Sequence, residues 1–216
     1  MAVSSSDIND KSDGAGVRSV EIHGLSATGE DQDEVILMNA STEVSSSLSY
    51  CRINKMHNET VGTYGGSHQG DITLRVSSGG AKSGEILSVM TGTEGNINSG
   101  VQYGLGEAGN GYWSVPLGKV AYLTNLTVDI DAGANKTADV VLYEREGILD
   151  ITAPMDPRKV LWSTRAGAGE IRKNFESHLK IKGLTDIFFR AKGSASSTKI
   201  AVDLDFILLD ANASGA

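Results

Sequence analysis

The run closest to a known chemical motif is Gly104-Leu-Gly-Glu-Ala-Gly109, which has the G-x-G-x-x-G spacing of a dinucleotide-binding loop. In such a loop, the glycines join a strand to a helix whose N-terminus holds a pyrophosphate. Here the next residues, Asn110 to Pro116, predict a turn followed by a strand. Because no helix follows, we interpret the run as a glycine-rich loop and predict no bound cofactor.

Histidine and cysteine side chains offer little support for a metal site. The four histidines, His23, His57, His68 and His178, contain no pair at i+2 or i+4 spacing, so there is no local two-histidine motif. Clustering of histidines from distant strands is left open, and surface or interface positions are the interpretation we favour. The single cysteine, Cys51, excludes an intramolecular disulfide or a Cys-based zinc site, and its neighbours predict a strand with a buried thiol. We therefore predict no metal ligands.

Two acidic pairs, Asp129/Asp131 and Asp203/Asp205, could in principle bind Ca²⁺ or serve glycoside hydrolysis. A spacing of two on a strand puts both carboxylates of a pair on one face. The segment after Asp129 lacks the bidentate glutamate of a calcium loop, so we interpret both pairs as solvated faces. The sequence also contains no G-x-S-x-G run and no P-loop, and we predict a protein that is not an enzyme.

Three residues are predicted to make interface or ligand contacts: Tyr112, Trp113 and Arg190. Tyr112 and Trp113 follow the glycine-rich run and could stack on a sugar, although a position in the core or at a subunit interface is favoured for Trp113. Aromatic side chains and arginine are enriched at protein interfaces, which is the reason for including Arg190.

The elements that would hold these residues are short strands rich in β-branched and apolar residues, separated by Gly, Asn, Asp and Ser. Thirteen strands are predicted: Val17–Leu25, Glu34–Asn39, Ser49–His57, Asp71–Ser77, Gly84–Met90, Val101–Leu105, Gly111–Val115, Lys119–Asp131, Ala138–Glu146, Lys159–Ser163, Asn174–Ile181, Thr185–Lys192 and Lys199–Asp210.

Alternation is clearest in the last strand, where Ile200, Val202, Leu204, Phe206 and Leu208 share one face. Within Lys119–Asp131, alternation places Val120, Tyr122, Leu126, Val128 and Ile130 together.

These patterns predict an all-β protein, a two-sheet β-sandwich of jelly-roll type with little or no helix. The best helical candidate is Gly169–His178, and the turn Lys182–Thr185 predicts a hairpin. We expect a flexible N-terminal arm over residues 1–16, one sandwich domain over 17–210, and a tail over 211–216. A subdivision of the sandwich would be sought near 91–100.

Net charge and hydropathy limit the partners. The formal charge of −8 argues against binding a nucleic-acid backbone. The sequence has no apolar run long enough to span a bilayer and no secretory signal at its start, so we expect no membrane partner.

Several stretches resemble a group of uncharacterised virion-associated proteins of marine tailed phages, including cyanophages, and the resemblance covers roughly residues 17–210. The stretches are Val17–Leu25, Glu34–Val44, Arg52–His57, Gly70–Thr73, Val115–Leu123, Leu179–Lys182, Asp186–Ala191 and Asp203–Phe206.

This resemblance implies a structural role in a phage particle, such as a head decoration or a tail accessory or fibre component, assembled in the bacterial cytoplasm. The implied partners are other virion proteins and further copies of the chain, with closed symmetry such as a trimer expected. A carbohydrate-binding or receptor-binding module that takes a surface glycan is the alternative.

Overall fold

In a computed structural model of the chain, the residues described are 1–63, 68, 70–77, 83–92, 107–109, 111–150, 152–196 and 198–211. They form β-strands and connecting turns and contain no helix, so the all-β prediction is confirmed. No segment of these residues is therefore a helix long and apolar enough to cross a membrane.

The chain divides into two compact units, where the sequence predicted one domain over residues 17–210. The first unit holds Met1–Ala27 and Asp31–Asn110, and the second holds Thr28–Glu30 and Gly111–Ala216. The boundary thus lies between residues 110 and 111, outside the 91–100 stretch, of which only Thr91 and Gly92 are described. Each unit has enough buried apolar residues for a core of its own.

Eight strands form the first unit, in two four-stranded sheets with orders β4-β1-β6-β7 and β3-β2-β5-β8. Their bounds are β1 Ala2–Ser5, β2 Val17–Ser26, β3 Asp31–Leu37, β4 Val44–Ser45, β5 Tyr50–Val61, β6 Ile72–Arg75, β7 Ile86–Met90 and β8 Glu107–Gly109. The core takes Val3, Ile72 and Met90 from one sheet and Ile22 and Met56 from the other. This arrangement is that of a sandwich.

The prediction of a flexible arm over residues 1–16 is wrong. β1 lies between β4 and β6, and Val3 pairs with Val44 on one side and Leu74 on the other. Further along, the buried carboxylate of Asp10 accepts hydrogen bonds from the Ser5 hydroxyl (2.6 Å) and the Val17 amide (2.8 Å). The polar composition that suggested disorder instead supplies the groups that fix this segment.

Seven strands form the second unit, in a three-stranded sheet of order β13-β10-β15 and a four-stranded sheet of order β12-β11-β14-β9. Their bounds are β9 Tyr112–Ser114, β10 Lys119–Asp131, β11 Ala138–Arg145, β12 Lys159–Ala166, β13 Gly169–Lys182, β14 Asp186–Gly193 and β15 Lys199–Asp210. Buried Leu123, Leu126 and Val128 of β10 pack with residues of β11, among them Val140 and Leu142.

A β-bulge at Thr124 corrects the predicted alternation of β10. The pairing of β10 with both neighbours shifts between Leu123 and Asn125. A bulge adds one residue and so moves the inward positions from odd to even numbers. Ala121 and Leu123 are therefore fully buried before the bulge, whereas Tyr122 is only partly buried. The other predicted even positions, Val120, Leu126, Val128 and Ile130, are buried.

Residues 169–178, the best helical candidate in the sequence, lie in strand β13, which contains the predicted strand Asn174–Ile181 and begins five residues before it. The turn at Lys182–Thr185 does not close a hairpin, because β13 and β14 belong to different sheets. The sheet orders do not confirm the jelly-roll subtype. The predicted strand Val101–Leu105 and all of the tail except Ala211 lie outside the described residues.

Candidate functional site

The three residues predicted to make contacts divide between the two faces of one sheet. Tyr112 and Trp113 are neighbours on β9, so their side chains point to opposite faces. Trp113 points inward, where it packs against the core and stacks on Phe206 with ring centroids 4.9 Å apart. Tyr112 and the exposed Arg190 lie on the outer face. Trp113 therefore packs against the core of the second unit.

Tyr112 is the first member of a row of paired side chains that crosses the outer face of the sheet from β9 to β12. Tyr112 pairs with Phe188 of β14, Phe188 with Tyr143 of β11, and Tyr143 with Val160 of β12. The Tyr143 and Phe188 rings stack at 5.4 Å with an interplanar angle of 17°. Four strands at the usual sheet spacing make the row about 14 Å long. Val160, at its end, is 58% exposed.

Cationic side chains surround this row. The guanidinium of Arg158 lies 5.5 Å from the centre of the Phe188 ring, a cation–π distance. Arg190 lies two residues beyond Phe188 on the same face. The outer face holds the cations Arg145, Arg158, Arg165, Arg190 and Lys192 and the anions Asp139 and Asp186.

The excess of positive charge on this surface contrasts with the chain's net charge of −8. We call the row and its surrounding charges the aromatic–arginine face.

Buried neighbours hold this face rigid. Leu142 of β11 and Ile187 of β14 are fully buried directly beside the row. At the β9 edge, the Ser114 hydroxyl donates a 2.5 Å hydrogen bond to Asp186. A rigid strand face of this kind is suited to recognition because little side-chain or backbone entropy is lost on binding.

The glycine-rich run does not form the predicted loop throughout. Its last three residues, Glu107–Gly109, are strand β8, and the next described element is strand β9. Gly104 and Gly106 lie outside the described residues. The described element that follows the run is therefore a strand, where a dinucleotide-binding unit has a helix.

The acidic pairs lie on exposed strand faces, as predicted. Asp129 and Asp131 of β10 are exposed, as are Asp203 and Asp205 of β15. Asn125 donates a 3.1 Å hydrogen bond to Asp205. Within the described residues, neither pair belongs to a group of three possible metal ligands.

Pairing of β2 with β5 creates a cluster that local sequence spacing could not predict. Glu21 and His23 share the outer face of β2, and His57 of β5 lies directly opposite Glu21. Nε2 of His23 is 3.3 Å and Nε2 of His57 is 3.2 Å from Oε2 of Glu21. The two imidazoles stack with centroids 5.2 Å apart. Only the pairing of strands distant in sequence brings them together.

The other two histidines lie elsewhere. His178 is exposed on β13. His68 is buried, its Nδ1 lies 3.1 Å from Nδ2 of Asn58, and burial lowers the pKa of its ring. Cys51, predicted to be buried, is only partly buried on β5.

Comparison with known proteins adds no relative: no protein-family model, curated protein or solved structure matches this chain.

Proposed function

We propose that this chain is a non-enzymatic structural protein of a bacteriophage particle, a head decoration or a tail accessory or fibre component, assembled in the bacterial cytoplasm. The phage assignment rests on the resemblance of residues 17–210 to virion-associated proteins of marine tailed phages. The assembling role rests on one structural observation, the aromatic–arginine face of the second unit.

The partner we propose for this face is an acidic surface on another copy of the chain. The chain carries a net charge of −8, and the aromatic–arginine face is itself positive. The rest of each copy therefore carries more negative charge than −8, and it offers electrostatic complementarity to this face. Tyr112, Tyr143 and Phe188 supply the apolar contact area that aromatic anchors contribute at interfaces.

Measurements of the molecular mass of the wild type and of single-residue variants test this assembly. The full chain is measured by light scattering after size exclusion and by sedimentation equilibrium, at low and high salt. Phe188→Ala removes the aromatic at the centre of the row and should weaken association by about 2 kcal/mol, roughly thirtyfold. Arg190→Glu should have a similar effect through charge repulsion. Lys180→Glu, the same charge change on exposed β13 of the other sheet, is the matched control.

The expected result is a wild-type oligomer that weakens at high salt and in both face variants but not in the control. Circular dichroism establishes that each variant is folded. A wild-type chain that stays monomeric at all concentrations and is not detected in phage particles by mass spectrometry would overturn the proposal.

The carbohydrate-binding alternative would use the same outer face. Trp113, which first suggested a sugar platform, has one ring face covered by Phe206. Tyr112 and Phe188 are the aromatics of the outer row. Binding on a glycan array that Phe188→Ala abolishes, together with a monomeric wild type, would favour the glycan over the self-assembly function.

A further inference from the structure

We propose that Glu21, His23 and His57 form a binding site for a divalent transition-metal ion, of which Zn²⁺ is the best fit. The site lies on the outer face of the β3-β2-β5-β8 sheet in the first unit. It shares no residue with the aromatic–arginine face, so the result of its test does not depend on the proposed self-assembly.

Distances within the cluster match the spacing of metal ligands. An ion bound tetrahedrally at about 2.0–2.1 Å places neighbouring ligand atoms about 3.3 Å apart. Oε2 of Glu21 lies 3.3 Å from Nε2 of His23 and 3.2 Å from Nε2 of His57. One ligand atom from each of the three residues falls within 4.8 Å of the other two. Two of the three ligand–ligand distances therefore already have the coordinated value.

The chemistry of the donors selects the class of ion. Two imidazoles and one carboxylate form the three-ligand set that several zinc enzymes use. Imidazole nitrogen suits Zn²⁺, Ni²⁺ and Cu²⁺, whereas Ca²⁺ and Mg²⁺ prefer oxygen ligands alone. We therefore expect selectivity for transition ions over Ca²⁺ and Mg²⁺.

Charge near the cluster favours a cation. Oε2 of Glu59 lies 3.7 Å from Nε2 of His57, close enough to hydrogen bond to a metal-bound water. Strand pairing places Asp33 across from His23 and Glu107 across from His57. Lys55 of β5 lies across from His23 and partly offsets this negative charge, and its Nζ is 3.2 Å from Oε2 of Glu107.

The three side chains are partly exposed to solvent, so a bound ion would have one coordination position available for water. The side chains of Glu21, His57 and His23 are 18%, 25% and 37% exposed, so an ion can enter from solvent. Because three protein ligands are present, a fourth position is left for water, which is the pattern of an open site.

The hydrogen bond made by the second ring nitrogen of a metal-binding histidine affects the affinity for the ion. Nδ1 of His57 is buried and has no hydrogen-bond partner within the part of the chain that the structure describes. Metal-binding histidines usually donate that hydrogen to an acceptor, and losing such a partner costs about 10–100-fold in affinity. We therefore expect a dissociation constant for Zn²⁺ on the order of micromolar, weaker than in zinc enzymes.

The experiment is titration of the chelator-treated full chain with Zn²⁺ by calorimetry, and with Co²⁺ by visible absorption. The expected stoichiometry is one ion per chain, with the strong visible bands of tetrahedral cobalt. Substitutions His23→Ala, His57→Ala and Glu21→Gln should each weaken Zn²⁺ binding at least about tenfold. His178→Ala, which removes an exposed histidine outside the cluster, should leave it unchanged.

Circular dichroism and the urea midpoint of the ion-free protein show whether each variant is folded, and Glu21→Gln keeps the shape of the side chain if an alanine variant does not fold. The proposal is overturned if wild type binds no Zn²⁺ at millimolar concentration. It is also overturned if the cluster variants bind as tightly as His178→Ala, or if Ca²⁺ binds as tightly as Zn²⁺.

Discussion

Replacing Val3 with alanine tests whether the N-terminal segment is part of the first core. Val3 is 1% exposed and belongs to the same cluster as Ile72, Leu74 and Met90. Its strand lies inside its sheet, with neighbours on both sides. A flexible arm would tolerate the change at no cost, whereas a core strand would not.

The expected loss follows from burial. Alanine removes two methyl groups, each worth about 0.8 kcal/mol of burial, and the cavity that remains adds to this. The sum is about 2–3 kcal/mol, a large part of the stability of a domain of this size. With a urea m-value of about 1.5 kcal/mol/M, the unfolding midpoint of the first unit should fall by about 1.5 M.

The assay needs a probe for each unit, and the sequence supplies both. Cys51, the only cysteine, lies in the first unit and is partly buried, so the rise of its thiol-labelling rate in urea above the rate in the folded protein reports the opening of that unit. Both tryptophans, Trp113 and Trp162, lie in the second unit, whose unfolding their fluorescence follows. The matched control is Ile8→Ala, because Ile8 belongs to the same segment but is 76% exposed.

We expect the midpoint for Cys51 labelling to fall in Val3→Ala and to stay within about 0.3 M of wild type in Ile8→Ala. Equal midpoints for Val3→Ala and wild type would refute the assignment of β1 to the core. A fall of the same size in Ile8→Ala would refute the burial argument itself.

Three further predictions concern buried and hydrogen-bonded polar groups of the first unit. Asp10→Ala leaves two buried donors without an acceptor and should lower unfolding free energy by about 3 kcal/mol in urea titrations, while the exposed Asp13→Ala should change little. Burial lowers the pKa of His68, so its contribution to stability is complete above about pH 6.5 and is lost as pH falls through the lower folded pKa. The unfolding free energy from urea titrations should fall by up to about 1.4 kcal/mol per pH unit in that range, and by less in His68→Gln. Burial acts to raise the pKa of Glu34, but hydrogen bonds from two serines lower it overall, so its contribution is present above about pH 4.5 and is lost on acidification. Glu34→Gln should cost about 1 kcal/mol at pH 7 and flatten the acid end of the stability profile, and no change in either would contradict this account.

Strand positions were largely predictable because the pattern that marks a strand is local. The bounds of β10 and β15 agree with the sequence prediction, and alternation along β15 holds through Phe206. Three of the five strands with four residues or fewer were not predicted: β1, β4 and β8, which lie among Ser, Gly and Asp. Their identity depends on pairing partners, so composition alone suggested an arm or a loop.

The candidate sites also combine features that the local sequence predicts with features that depend on strand pairing. Tyr112 and Arg190 could be selected as contact residues from their chemical type, but their membership of one face with Tyr143 and Phe188 depends on which strands pair.

The cluster of Glu21, His23 and His57 depends still more on strand pairing, because the bulges in the β2–β5 pairing set the register that puts His57 opposite Glu21. A register different by one residue would turn the His57 side chain toward the core.

The sequence by itself determined an all-β chain, the positions of most of the longer strands and the absence of a local catalytic motif. These follow from the alternation of side chains and from residue type, and both can be read within a few residues. The tertiary structure decided the division into two units, the burial of the N-terminal strand and the composition of both candidate sites. These depend on contacts between residues far apart in the chain, and many alternative pairings would satisfy the same local pattern.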